Sequence, residues 1–167
     1  MRTPSSFLAT SLLALALAAP SMVSAQTPEQ WISWGDRVHG GFGSLIALGV
    51  IVGQDALARL DAERRDLAVD YTDGPQSPCA CVIDGIAVAV SASVGQRTLR
   101  LESERTESGL LARIRFTRRS DARSLVYEIP QPILAVMAAI NRDPDPLERW
   151  RAVNAIDRAS LFRVIGP

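Results

Sequence analysis

His39-Gly-Gly-Phe-Gly-Ser-Leu-Ile-Ala-Leu-Gly-Val-Ile-Val-Gly-Gln-Asp-Ala-Leu-Ala-Arg-Leu60 is the stretch on which the fold turns. After the glycines, Leu45, Ile46, Leu48, Val50, Ile51, Val52, Leu57 and Leu60 recur almost all round a helical period, with polar Gln54, Asp55 and Arg59 only toward the end. A helix that is apolar on nearly every side must be buried. The pattern therefore predicts a central core helix over about residues 43–60. Gly49 and Gly53 remove side chains from one stripe of it, so another element, of this chain or of a second subunit, can approach the backbone there. The charged run from Asp61 to Asp66 ends the helix.

Working outward, Leu67 to Thr72 has strand character, and Asp73-Gly74-Pro75 with Ser77-Pro78 marks a loop. Cys81 to Val90 is continuously apolar apart from Asp84. Its length and alanine content suit a second buried helix, while its valines keep a strand open. Beyond Gly95 the texture changes. Thr98 to Glu102, Ala112 to Thr117 and Ser124 to Ile129 alternate polar with apolar residues, which predicts antiparallel strands with one wet face. Pro130 and Pro132 introduce a helix through Leu134, Val136, Met137 and Ile140, and Asp143-Pro144-Asp145-Pro146 caps another carrying Trp150, Val153 and Ile156. The sum is an α+β domain with an antiparallel or mixed sheet.

Arg2, the apolar run Phe7 to Ala19 and the small residues Val23-Ser24-Ala25 before Gln26 form the three-part pattern of a secretory signal peptide over residues 1–25. The apolar run is shorter than the roughly 20 residues that span a bilayer. Export to the periplasm or the medium is expected, with no membrane span after cleavage. Of 167 residues, 142 then form one domain, residues 26–167. The 18 basic and 18 acidic residues balance, which gives no electrostatic case for nucleic acid. Every basic residue is arginine, so Schiff-base chemistry and a phosphate-loop lysine are excluded. No Gly-x-Ser-x-Gly hydrolase signature is present.

The residues able to ligate metals or move protons are few. His39 is the sole histidine, and it precedes a helix whose first turn offers backbone N–H groups, with Gly40, Gly41 and Gly43 letting the backbone come close to a ligand. A satisfied polar residue at a helix start is the plainer account of it. Asp84 is either a first-turn carboxylate satisfying backbone donors or a catalytic group. Cys79 and Cys81 are the only cysteines. One intervening residue makes the Cα spacing of a disulfide hard to reach, so a staple is not expected. Such a pair can hold a soft metal such as Cu(I). The plainer account packs Cys81 as a small apolar residue and leaves Cys79 a loop thiol. Trp31, Trp34, Asp36 and Arg37 either rim a pocket or dock the N-terminal segment onto the core.

His-Gly-x-Phe before an apolar helix, then Cys81-x-x-Asp84-Gly-Ile86 and a Ser-rich turn closing on Gly95 before a strand, resembles the FmdE family of formylmethanofuran dehydrogenase over roughly Trp34 to Leu101. The resemblance implies an α+β fold related to the catalytic domain of glyceraldehyde phosphate dehydrogenase, dimerisation, and a metal held through His and Cys positions, with zinc or copper as candidates. His39, Gly40, Cys81, Asp84 and Ile86 match the family's motifs. The family's second histidine falls on Gly41, its first-motif cysteine on Gly43, the inner cysteine of the second motif on Ala92, flanking threonines on Val90 and Ser93, and a lysine on Gln96.

A protein zinc site wants at least three ligands. Here only His39, Cys81 and Asp84 remain to supply them. Lost ligands beside kept glycines point to an exported, non-catalytic binding or accessory protein, holding a small ligand or a metal-bound cofactor at His39, Gly40, Gly41, Gly43, Asp84, Ser91 and Ser93. The alternatives are a metal-dependent enzyme using His39, Cys81 and Asp84, and a homodimeric structural partner whose interface is the Gly49 and Gly53 stripe.

Overall fold

The computed structural model describes residues 26–166, and the leader expected over residues 1–25 lies outside the described residues. The predicted core helix is α2, Ser44–Leu60, and from Ile46 to Gly53 every residue on it is buried. Asp61 stops it in the left-handed region at φ 48°, returning its N–H to the carbonyls of Leu57 and Ala58. Ahead of it runs α1, Pro28–His39, a helix missing from the elements expected above. Its start is nevertheless written in the sequence. Thr27 and Gln30 form a reciprocal capping box around Pro28 in the first turn.

β1, Leu67–Asp73, is followed by α3, Cys81–Val90, and then by β2, Leu99–Leu101. The apolar run from Cys81 is thus a helix. β2 pairs with β1 in parallel, Val69 opposite Leu99 and Tyr71 opposite Leu101, which corrects the expectation that the Thr98 to Glu102 segment lies antiparallel. A parallel pair needs a crossover long enough to carry the chain back, and α3 is that crossover. The other strands, β3 Leu110–Arg118, β4 Ser124–Pro130 and the short β5 Arg163–Ile165, are antiparallel to their neighbours. The order is β2-β1-β3-β4-β5, a mixed sheet.

Val69, Tyr71, Ile114, Phe116 and Tyr127 are fully or almost fully buried and belong to one core with α2 and α3. The opposite face keeps its charge: Asp70 pairs across β1 and β3 with Arg115, and Thr72 with Arg113. Glu128 on that face is only 5% exposed, held between the guanidinium groups of Arg113 and Arg163. Those two arginines hold its carboxyl below the usual range despite the burial.

α4, Ile133–Ile140, and α5, Pro146–Asn154, follow as the prolines predict, and α5 buries Trp150 and Val153 while Ile156 lies beyond its end. Neither α6, Arg158–Leu161, nor β5 has a signal in the sequence pattern. The glycine stripe of α2 is filled from within the chain. A methyl on Gly49 would overlap the Val82 carbonyl oxygen, and one on Gly85 the Ile46 carbonyl oxygen, so α2 and α3 meet backbone to backbone. A second subunit is therefore not what the stripe admits.

Candidate functional site

α1 brings its last residue to the first turn of α3. His39 Nδ1 lies 2.7 Å from Asp84 Oδ2, and each side chain is about one-third exposed, at 32% and 33%. The sequence places His39 just upstream of a helix, and it does precede α2 by a short loop, but it also closes α1. Gly40 makes this turn possible at φ 82°, where its N–H reaches back 2.7 Å to the Asp36 carbonyl. Asp84 does not cap its own helix. Ala80, the N-cap of α3, makes no side-chain cap bond, and the Asp84 carboxylate turns to the imidazole instead. An ionised carboxylate only accepts, so the shared proton belongs to Nδ1 and Nε2 of a neutral ring is left as an acceptor.

His39 borders a cavity of about 260 Å³ that opens to solvent and is largely apolar. Leu45 and Ile46 of α2, Leu134 and Met137 of α4, and the Pro78 to Cys81 segment form its walls. α4 is latched across the start of α2: Ser44 Oγ donates to the Met137 carbonyl at 2.8 Å, and Asn141 Oδ1 accepts from the Ser44 N–H at 3.2 Å. Gly43 stands where a side chain would press on Asn141. The contribution of α4 is not legible in the sequence, because a helix prediction does not say where the helix docks.

Cys79 and Cys81 form a disulfide, which corrects the expectation of a loop thiol and a packed one. The chain turns at Ala80 into α3 and brings the two Cα atoms to 5.3 Å, inside the range disulfides need. Both cysteines are half-buried and line the cavity with His39. The loop it closes is so short that the chain-entropy stabilisation is only about 1.5 kcal/mol.

The three-ligand metal set does not fit. Asp84 is committed to His39 Nδ1, and the Cys81 sulfur is bonded to Cys79. Among the described residues no group of three His, Cys, Asp or Glu side chains could hold a metal ion. His39 and Cys81 do share one cavity, as a common site requires.

The other candidate residues divide. Gly43 lines the cavity, while Gly40 and Gly41 border a shallower hollow beside it with Asn141 and Arg149. Ser91 and Ser93 are not brought to His39. Ser91 ends α3 in the left-handed region at φ 56°, seven positions and about 10 Å along the helix from Asp84. Ser93 Oγ accepts from the Gln96 N–H in the following turn. Trp31 docks α1 onto the core at 3% exposure, edge-on to Trp34, and Arg64 stacks on both rings while donating to the Val88 and Ala89 carbonyls. Tyr71 Oη and Asp73 Oδ1 are buried and have no hydrogen-bond partner among the described residues. Burial first, then the charges of Asp73 and Asp84, push the Tyr71 hydroxyl well above the usual tyrosine range, so it stays protonated.

Residues 38–153, more than half of the chain, match the family model described as FmdE, Molybdenum formylmethanofuran dehydrogenase operon. Among curated proteins, none matches the chain.

Proposed function

The chain belongs to the FmdE family, and on that premise we propose that it is an exported binding or accessory protein, not a metal enzyme. It takes a small organic ligand into the cavity between α2, α4 and the Cys79–Cys81 segment, with a polar group of the ligand on His39. The leader pattern over residues 1–25 supports export. The observation that carries the binding role is the His39–Asp84 pair at the edge of an apolar cavity of about 260 Å³. Pockets of this kind, with apolar walls and a few placed polar groups, hold ligands by burial and orient them by hydrogen bonds. A dry cavity of about 150 Å³ holds benzene, so this one has room for a substituted single ring.

With Nδ1 donating to Asp84, Nε2 accepts from a ligand hydroxyl or supplies one nitrogen to a metal already held within a cofactor. Calorimetry with benzyl alcohol, benzoate and toluene as size-matched probes tests this. Benzyl alcohol should bind best, and His39→Ala should reduce it to the level of toluene. Equal binding of all three, unchanged in His39→Ala, would remove His39 from the site. The His–Asp pair also has the makings of a general base. Recovery of the bound ligand chemically altered would favour an enzyme.

A further inference from the structure

We propose that the Cys79–Cys81 disulfide is a redox centre that exchanges with small or protein thiols, with His39 as the base that activates the incoming thiol. Access to it rests on the cavity of the binding role, but the chemistry is separate from ligand binding. Four features converge. The disulfide closes a ring with a single intervening residue, so it adds little to the stability of the fold. Both cysteines are half-buried and face a cavity open to solvent, so a thiol can reach them. Cys81 is the first residue of the ten-residue α3, and the helix start carries no side-chain cap to compete for its N–H groups. Thiolates are stabilised at such a position. Finally, the lone histidine lines the same cavity with its Nδ1 committed to Asp84.

The exchange follows from these positions. An incoming thiol gives its proton to His39 Nε2, and the imidazolium is stabilised by Asp84. The resulting thiolate attacks Cys79 Sγ. A bond forms between the incoming sulfur and Cys79, the Cys79–Cys81 bond breaks, and its electron pair leaves on Cys81 as a thiolate at the start of α3. The lower-energy thiolate is the better leaving group. Cys81 recovers the proton from His39. A second thiol then gives its own proton to the freed His39 Nε2 and attacks the incoming sulfur in the mixed disulfide, forming the oxidised product, and Cys79 leaves as a thiolate that takes this second proton. In total, two thiols are oxidised to one disulfide and the protein disulfide is reduced to two thiols. The reverse direction, with a disulfide as oxidant, restores the pair.

The test uses the full chain in glutathione buffers of graded reduced-to-oxidised ratio, with thiols alkylated and weighed by mass spectrometry while circular dichroism follows the fold. The expected result is reversible interconversion of disulfide and dithiol in the folded protein. Cys81→Ser should trap a glutathione adduct on Cys79. His39→Ala should slow reduction at neutral pH by roughly a hundredfold or more, the scale of general-base assistance, without moving the equilibrium ratio. A disulfide that resists every ratio until urea unfolds the chain would overturn the proposal. Reduction of His39→Ala at the unaltered rate would overturn the role of the histidine. Benzyl alcohol binding is measured in parallel on the unaltered disulfide form without added thiol. Binding there beside a disulfide that resists exchange overturns the redox centre alone, and exchange without binding overturns the binding role alone.

Discussion

His39 Nδ1 and Asp84 Oδ2 meet at 2.7 Å across 45 residues of chain, one from the end of α1 and one from the start of α3. That contact ties the N-terminal helix to the βαβ unit and fixes which ring nitrogen is free. Asp84→Asn should keep the fold, lose the fixed tautomer and weaken benzyl alcohol binding by about tenfold, the effect of disturbing a positioned second-layer partner. Titration calorimetry on the variant checks this.

Gly49 and Gly85 hold α2 and α3 together by having no side chains. In an exposed helix Gly→Ala would gain up to about 1 kcal/mol. At Gly49 the added methyl meets the Val82 carbonyl, which belongs to a helix backbone and cannot step aside. Overpacking should win, and Gly49→Ala should destabilise by about 3 kcal/mol in urea unfolding. Gly53→Ala meets the Ala89 methyl at 2.6 Å and Val90 Cγ1 at 3.3 Å, side-chain atoms, and should cost about half as much.

Arg64 donates to the last carbonyls of α3, Val88 at 2.6 Å and Ala89 at 3.0 Å, and lies 5.2 Å from the centre of the Trp34 ring. A lysine cannot reproduce both the fork and the stacking. Arg64→Lys should therefore recover less than half of the roughly 2 kcal/mol lost in Arg64→Ala, an amount set by two charge-assisted bonds and a partly buried cation–π contact. Thermal unfolding of both variants decides it.

Glu128 makes stability fall in acid. Its carboxyl is held below the usual range by Arg163 first and Arg113 second, so the folded state binds a proton less readily than the unfolded chain. The stabilisation is complete above the ordinary glutamate range and is lost as pH falls through the lowered folded value. Glu128→Gln should flatten that acid limb of the stability curve and cost about 1–3 kcal/mol at neutral pH, since it leaves Arg163 without its partner.

The order of elements is legible wherever one local rule governs. The all-round apolar run predicts α2, period-two alternation predicts β3 and β4, and paired prolines predict α4 and α5. α1 is legible too, since Thr27 and Gln30 carry its capping box and Trp31, Trp34 and Val38 fall at i, i+3 and i+7, but reading the tryptophans only as a pocket rim or a docking segment passes over the helix. The parallel pairing of β2 is hidden, since alternation reports a half-exposed strand and not its direction. The pairing of Cys79 with Cys81 depends on the backbone turning at Ala80, a conformation that spacing alone does not encode. Residue type singles out His39 and Asp84, but nothing local joins them. The placement of Ser91 and Ser93 at the far end of α3 follows from helical rise once that segment is known to be a helix.

Because the chain has a single histidine, nitrogen-15 labelling of histidine reports His39 alone. Its imidazole spectrum at neutral pH, recorded with and without benzyl alcohol, tests the binding role most directly. The neutral ring should be the Nδ1–H tautomer, held by Asp84, and the Nε2 resonance should shift as benzyl alcohol is added, with the tautomer preference lost in Asp84→Asn. A ring that carries its proton on Nε2, or an Nε2 resonance indifferent to the alcohol, would contradict a ligand site built on the His39–Asp84 pair.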